Sequence, residues 1–153
     1  MKTFKQIIEY FESEVSNSLF LKSFYWGLPW EAAKDKDVYY PSLFVEDTMS
    51  NNVSFAAGLY EEYTVSFYVL DRGFEDKSNR LQILNETNKI SKLIINNVTA
   101  FLNDDDDLEQ TPEFSLLPFE DSFPDLVYGW RVTFTFKQVF TVDCIDYDEY
   151  NCA

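Results

Sequence analysis

Trp130-Arg131-Val132-Thr133-Phe134-Thr135-Phe136-Lys137 alternates large apolar with polar side chains at every step, and Phe140 and Val142 resume the apolar side beyond Gln138. A two-residue period places Trp130, Val132, Phe134 and Phe136 on one side of a strand and their polar neighbours on the other. Pro124 and Gly129 punctuate its entry, and an acidic run follows its exit. A single apolar side calls for a sheet covered on that side only, the habit of antiparallel and mixed sheets. The cover is expected from about Ser78 to Leu102, where Ile83, Thr87, Ile90, Ile94, Val98 and Phe101 recur at helical spacing. Asp76 or Ser78 is placed to cap that helix.

The rest of the chain fits around this pair. Thr3-Phe4-Lys5-Gln6 has the form of a capping box. Phe4, Ile7, Ile8, Phe11 and Val15 follow on one face, an amphipathic helix that ends near Ser16-Asn17-Ser18. Strands are expected over about Leu19–Trp26, Tyr39–Glu46, Val53–Leu59 and Glu62–Leu70. The last carries bulky groups on both sides, as a central strand does, while Pro41 marks either an edge or a strand start. Glu31–Asp37 reads as a loop, Asp47–Asn52 as a turn, and Glu113–Leu117 as a short strand. The expected fold is α+β: an antiparallel or mixed sheet, one long helix (about 78–102) packed on one face, and an N-terminal amphipathic helix. Residues 1–142 form a single domain and 143–153 an acidic tail.

A chain of 153 residues is long enough to bury a proper core in one domain. Its 27 acidic and 12 basic residues leave a net charge of −15. The imbalance is uneven, because beyond residue 102 only Arg131 and Lys137 are basic. Such a surface repels phosphate backbones and anionic membranes, since binding either depends on cationic side chains. No apolar run approaches the ~20 residues that span a bilayer. The start, Met1-Lys2-Thr3-Phe4-Lys5, develops no apolar core, so no secretory leader is expected and the sequons at Asn52, Asn85 and Asn97 should go unused. Cys144 and Cys152 fit a reducing compartment better than a disulfide-stapled fold.

Catalytic and metal-binding patterns fail on residue inventory. The chain has no histidine, which removes Ser-His-Asp and Cys-His nucleophilic sites and histidine-based metal centres. Its four glycines are isolated and form no phosphate loop. An EF-hand counted from Asp104 would need glycine at its sixth position and glutamate at its twelfth, where Glu109 and Ser115 stand. Cys144 and Cys152 could close a small disulfide or help hold a soft metal, but a zinc site would lack two good ligands. Glu120 with Asp121, and Glu61 with Glu62, are paired carboxylates without any sign of a pocket. No enzyme, cofactor or metal site is expected. The run Asp104, Asp105, Asp106 and Asp107 reads as a solvated loop beyond the helix end, where its charges do not oppose the helix dipole.

Particular phrases join this order of elements: Phe24-Tyr25-Trp26-Gly27 with Pro29-Trp30, Tyr40-Pro41-Ser42-Leu43-Phe44-Val45-Glu46, Val69-Leu70-Asp71, Asn79, and Gly129-Trp130. Together, over roughly residues 19–142, they resemble the small structural proteins of tailed bacteriophages at the head–tail connector or tail-terminator position, most nearly those of crAss-like phages. The resemblance implies an α+β subunit of the virion, assembled in the bacterial host cytoplasm. It also implies a ring of identical copies, with neighbouring connector, portal or tail proteins as partners. DNA would pass through without specific binding, and an acidic lining would keep it from being gripped. It carries over no catalytic residue and no membrane role. In that setting Trp30, Tyr39, Tyr40 and Tyr60, within or beside the long Glu31–Glu61 segment, are the expected subunit contacts. Asp104–Asp107 is the expected channel-facing loop. Composition alone favours the alternative, an acidic inhibitor or immunity-type protein that binds a basic partner.

Overall fold

A computed structural model of the chain describes residues 1–32, 38–55, 58–122 and 125–140. Its elements are α1 (Phe4–Asn17), β1 (Ser23–Trp26), α2 (Pro29–Ala32), β2 (Ser42–Val45), β3 (Ser50–Ser54), β4 (Tyr60–Arg72), α3 (Arg80–Asn103), β5 (Glu113–Asp121) and β6 (Val127–Val139). The six strands form one mixed sheet in the order β1-β2-β4-β6-β5, and β3 pairs with the first half of β4. Only β1 and β2 run parallel. The fold is α+β, as the alternation and the helical spacings require. Among the described residues no helix is long and apolar enough to cross a membrane.

The sheet is built on β4 and β6, which pair without interruption from Tyr60 opposite Val139 to Arg72 opposite Val127. Val65, Phe67, Val132, Phe134 and Phe136 line one side of this pair, and α1 and α3 cover them with Ile7, Phe11, Ile90, Ile94, Val98 and Leu102. Trp130 sits at the margin of that side and ties α3 to the sheet, its indole N–H donating to the Leu84 carbonyl at 2.8 Å. The two buried hydroxyls of α3 are satisfied within the helix: Thr87 donates to the Ile83 carbonyl at 2.6 Å and Ser91 to that of Thr87 at 2.8 Å. Burial without such partners would cost more than the packing returns. On the other side a smaller cluster of Ala32, Phe44, Tyr68, Leu70 and Val127 explains why β4 is bulky on both faces. The capping box on α1 is present, with the Thr3 hydroxyl and the Gln6 side chain serving each other's amides.

Element limits differ from expectation where a local feature outweighs the pattern. β1 starts at Ser23 rather than Leu19, because the Ser18 hydroxyl accepts from the amides of Phe20 and Leu21 and bends the chain there. Part of the expected 31–37 loop is the helical turn α2, and residues 33–37 lie outside the described residues. β2 begins after Pro41 and lies between β1 and β4, so the proline marks a strand start and not an edge. The third strand runs over Ser50–Ser54, starting three residues early inside the expected Asp47–Asn52 turn and stopping short of Leu59, because the long β4 offers Tyr60–Thr64 as a ladder to Ser50-Asn51-Asn52 despite their weak strand propensity. The residue flanking α3 at its start is Asn79, not Asp76 or Ser78. Asn79 accepts from the Phe74 amide at 2.8 Å, while Asp76 serves the amide of Ser78. β5 runs on through Pro118 to Asp121, which an edge strand tolerates because one row of its amides needs no ladder partner. Val142 and the tail with Cys144 and Cys152 lie outside the described residues.

Candidate interaction surface

Exposed apolar groups gather around β1, the outermost strand of one flank. Leu19 is 95% exposed, and Phe20, Trp26, Trp30 and Tyr39 also face solvent. Local structure puts each of them there. The Ser18 turn presents Leu19 and Phe20, and Trp26 closes β1 with its ring 5.9 Å from that of Phe4. Gly27, at φ +151°, then turns the chain into α2, which carries Trp30. A side chain at Gly27 would meet the Tyr25 ring at 2.6 Å, so the corner depends on its absence. Tyr39 is held by its backbone, which exchanges hydrogen bonds with the Ser23 hydroxyl at 2.6 and 3.2 Å.

Of the four expected contact residues, Trp30 and Tyr39 share this flank and the other two do not. Tyr40 is half-buried against the smaller cluster, with the Arg72 guanidinium 5.8 Å from its ring centre. Burial, helped by the Asp125 carboxylate, pushes its phenol upward. Tyr60 lies at the far end of β4, beside Lys137 at 4.6 Å. The charge of Glu109 raises its phenol. Twelve steps of strand separate Tyr60 from Arg72, roughly 40 Å, so Tyr40 and Tyr60 cannot belong to one contact patch.

The acidic run also divides. Asp104 and Asp106 are exposed, as expected of a solvated loop. Asp105, largely buried, and Asp107, which keeps part of its side chain in solvent, instead receive the Met1 amine at 2.5 and 2.6 Å. Burial opposes ionisation of Asp105, but hydrogen bonds from that amine and from the Asp107 backbone outweigh it and lower its pKa. The amine gains from the same contacts more than it loses by burial, and its pKa rises. Next to it the Gln138 side chain accepts from the Lys2 amide and donates to the Lys2 carbonyl, both at 2.8 Å, and donates to the buried Glu61 at 2.6 Å. These bonds dock the start of the chain on the sheet. Nothing in the spacing of residues separated by 136 positions announces them.

One polar node escaped sequence reasoning. Arg131, on the polar side of β6, donates from Nε and Nη2 to one oxygen of Glu46 at 3.2 and 3.1 Å, and Tyr68 donates to the same oxygen at 2.6 Å. Burial, with the Glu46 hydrogen bond, pushes the Tyr68 phenol up to about 12. A raised phenol keeps its proton in the folded chain after the unfolded chain has lost it. Its stabilisation is therefore complete below pH 10 and disappears as pH climbs toward 12. Tyr68→Phe is expected to flatten the loss of stability across that window, measured as denaturation midpoints against pH. An unchanged slope would show that Tyr68 titrates normally.

Cations elsewhere are largely answered locally: Arg72 pairs with Asp125 at 3.0 Å, and Lys77 and Arg80 pair with Glu120 at 3.2 and 3.6 Å. Such exposed pairs add little stability, but they leave these cations partly neutralised toward a phosphate partner. Among the described residues no group of three or more histidine, cysteine or acidic side chains is placed to hold a metal ion. No protein-family model matches the chain, and a search of curated proteins returns no match. The described residues offer an open sheet with exposed apolar groups at one flank.

Proposed function

We propose that the chain is a structural subunit of a tailed-phage virion, forming a ring in the head–tail connector or tail terminator around the DNA channel. The observation that supports this reading best is the openness of the sheet at both flanks, with β1 outermost on one side and β5 on the other. A ring needs two different surfaces on opposite flanks of each subunit, whose repeated contact closes by rotation. The Leu19, Phe20, Trp26, Trp30 and Tyr39 surface supplies apolar contact area for one of them. The net charge of −15 suits a channel through which DNA slides, because a surface short of free cations gives phosphates little to hold.

Electron microscopy of purified particles tests the reading. A closed ring on the tail axis is the expected result, of the six-fold or twelve-fold symmetry that the resemblance to connector proteins implies. Absence from virions, or scattered copies away from that axis, would overturn the ring and put an acidic inhibitor of a basic partner in its place.

A further inference from the structure

β3 differs from the other two outer strands in having no defence of its open side. β5 is protected by Glu113, Pro118, Glu120 and Asp121, and β1 is preceded by the exposed Lys22. Charges and proline are the usual devices that stop an edge from recruiting another strand. Ser50-Asn51-Asn52-Val53-Ser54 has no charge, proline or bulge, and among the described residues it pairs, residue for residue, with β4 on its inner side only. All five residues are exposed, and Phe55, immediately after them, is 77% exposed. An uncharged strip on a chain of net charge −15 is also the place where two copies can meet without opposing like charges.

We infer that β3 pairs antiparallel with β3 of a second copy about a two-fold axis through Asn52. The sequence is self-complementary in that register. Ser50 faces Ser54, Asn51 faces Val53, Asn52 faces its own copy, and Met49 faces Phe55. By the strand alternation, Met49, Asn51, Val53 and Phe55 share the side of the sheet on which Tyr63 lies, opposite Asn51 in the β3–β4 ladder. Met49 already packs against the main core there. Pairing therefore covers Val53 and Phe55 with the partner's Asn51 and Met49 and leaves the serines and Asn52 on the other side. The two sheets become one, with the helices of both copies on the same side. This pair is isologous. It does not depend on the ring, whose contacts are of the head-to-tail kind.

Sedimentation equilibrium of the full chain, over about 10 to 500 µM, tests the pairing, since a contact this short is smaller than a standard interface and binds weakly. The wild type is expected to move from monomer toward dimer across that range. It should associate more tightly as salt is added, because salt screens the repulsion of two acidic bodies and an uncharged contact has no attraction to lose. Asn52→Lys and Asn52→Asp each place like charges on the two-fold axis, and both should remain monomeric with an unchanged circular dichroism spectrum. An equimolar mixture of the two variants should regain the dimer, with Lys facing Asp. A wild type monomeric throughout, a variant that associates as the wild type does, or a mixture that stays monomeric would overturn the pairing. A ring in particles without a pair in solution, or the reverse, separates this inference from the proposed function.

Discussion

Phe134→Ala is expected to lower the unfolding free energy by about 3–5 kcal/mol, the range for removing a buried aromatic ring from a packed core. Phe134 is 2% exposed and sits where four elements meet. Its ring stacks on Phe114 of β5 at 4.7 Å and lies 6.3 Å from Phe11 of α1 and 6.4 Å from Phe67 of β4. No single neighbour can move into the space without leaving its own partners, so the cavity should persist. Against a total of ~5–15 kcal/mol for an ordinary domain, the loss is large. Urea denaturation is the measurement. The midpoint should fall sharply with little change in slope, whereas Leu117→Ala, on the exposed side of β5, should leave it nearly in place. A Phe134→Ala midpoint close to that of the wild type would remove this ring from the centre of the core.

Gly129→Ala should be as damaging by the opposite route. Gly129 faces Leu70 in the central β4–β6 ladder. An added Cβ would lie 1.9 Å from the Val69 carbonyl oxygen and 2.9 Å from a Leu70 methyl. A side chain can swing aside, but a ladder carbonyl cannot move without parting the two longest strands of the sheet. Overpacking costs typically run about 1–3 kcal/mol, and a clash with backbone belongs at or above the top of that range. Loss of soluble protein, or a melting temperature far below that of the wild type, is the expected result. Normal yield with an unchanged melting temperature would mean that the strands can separate locally at little cost.

Periodicity alone determined the α+β class, the long helix over the strand of Trp130, Val132, Phe134 and Phe136, and the central place of β4. These follow from side chains that must share a face, and a face is visible in spacing; the capping box at Thr3 was legible because its two partners lie three residues apart. The surface was legible only in part. The long Glu31–Glu61 segment pointed to Trp30 and Tyr39, but it gave equal weight to Tyr40 and Tyr60, which the strands hold far apart. Tertiary structure alone decided the rest, because it turns on partners distant in the chain. Asp105 and Asp107 find an ion-pair partner because the start of the chain is delivered to them. Arg131 meets Glu46 and Tyr68 only across the assembled sheet. Ser50-Asn51-Asn52 becomes a strand, against its own propensity, because β4 extends past β2 and leaves unpaired backbone for it to satisfy.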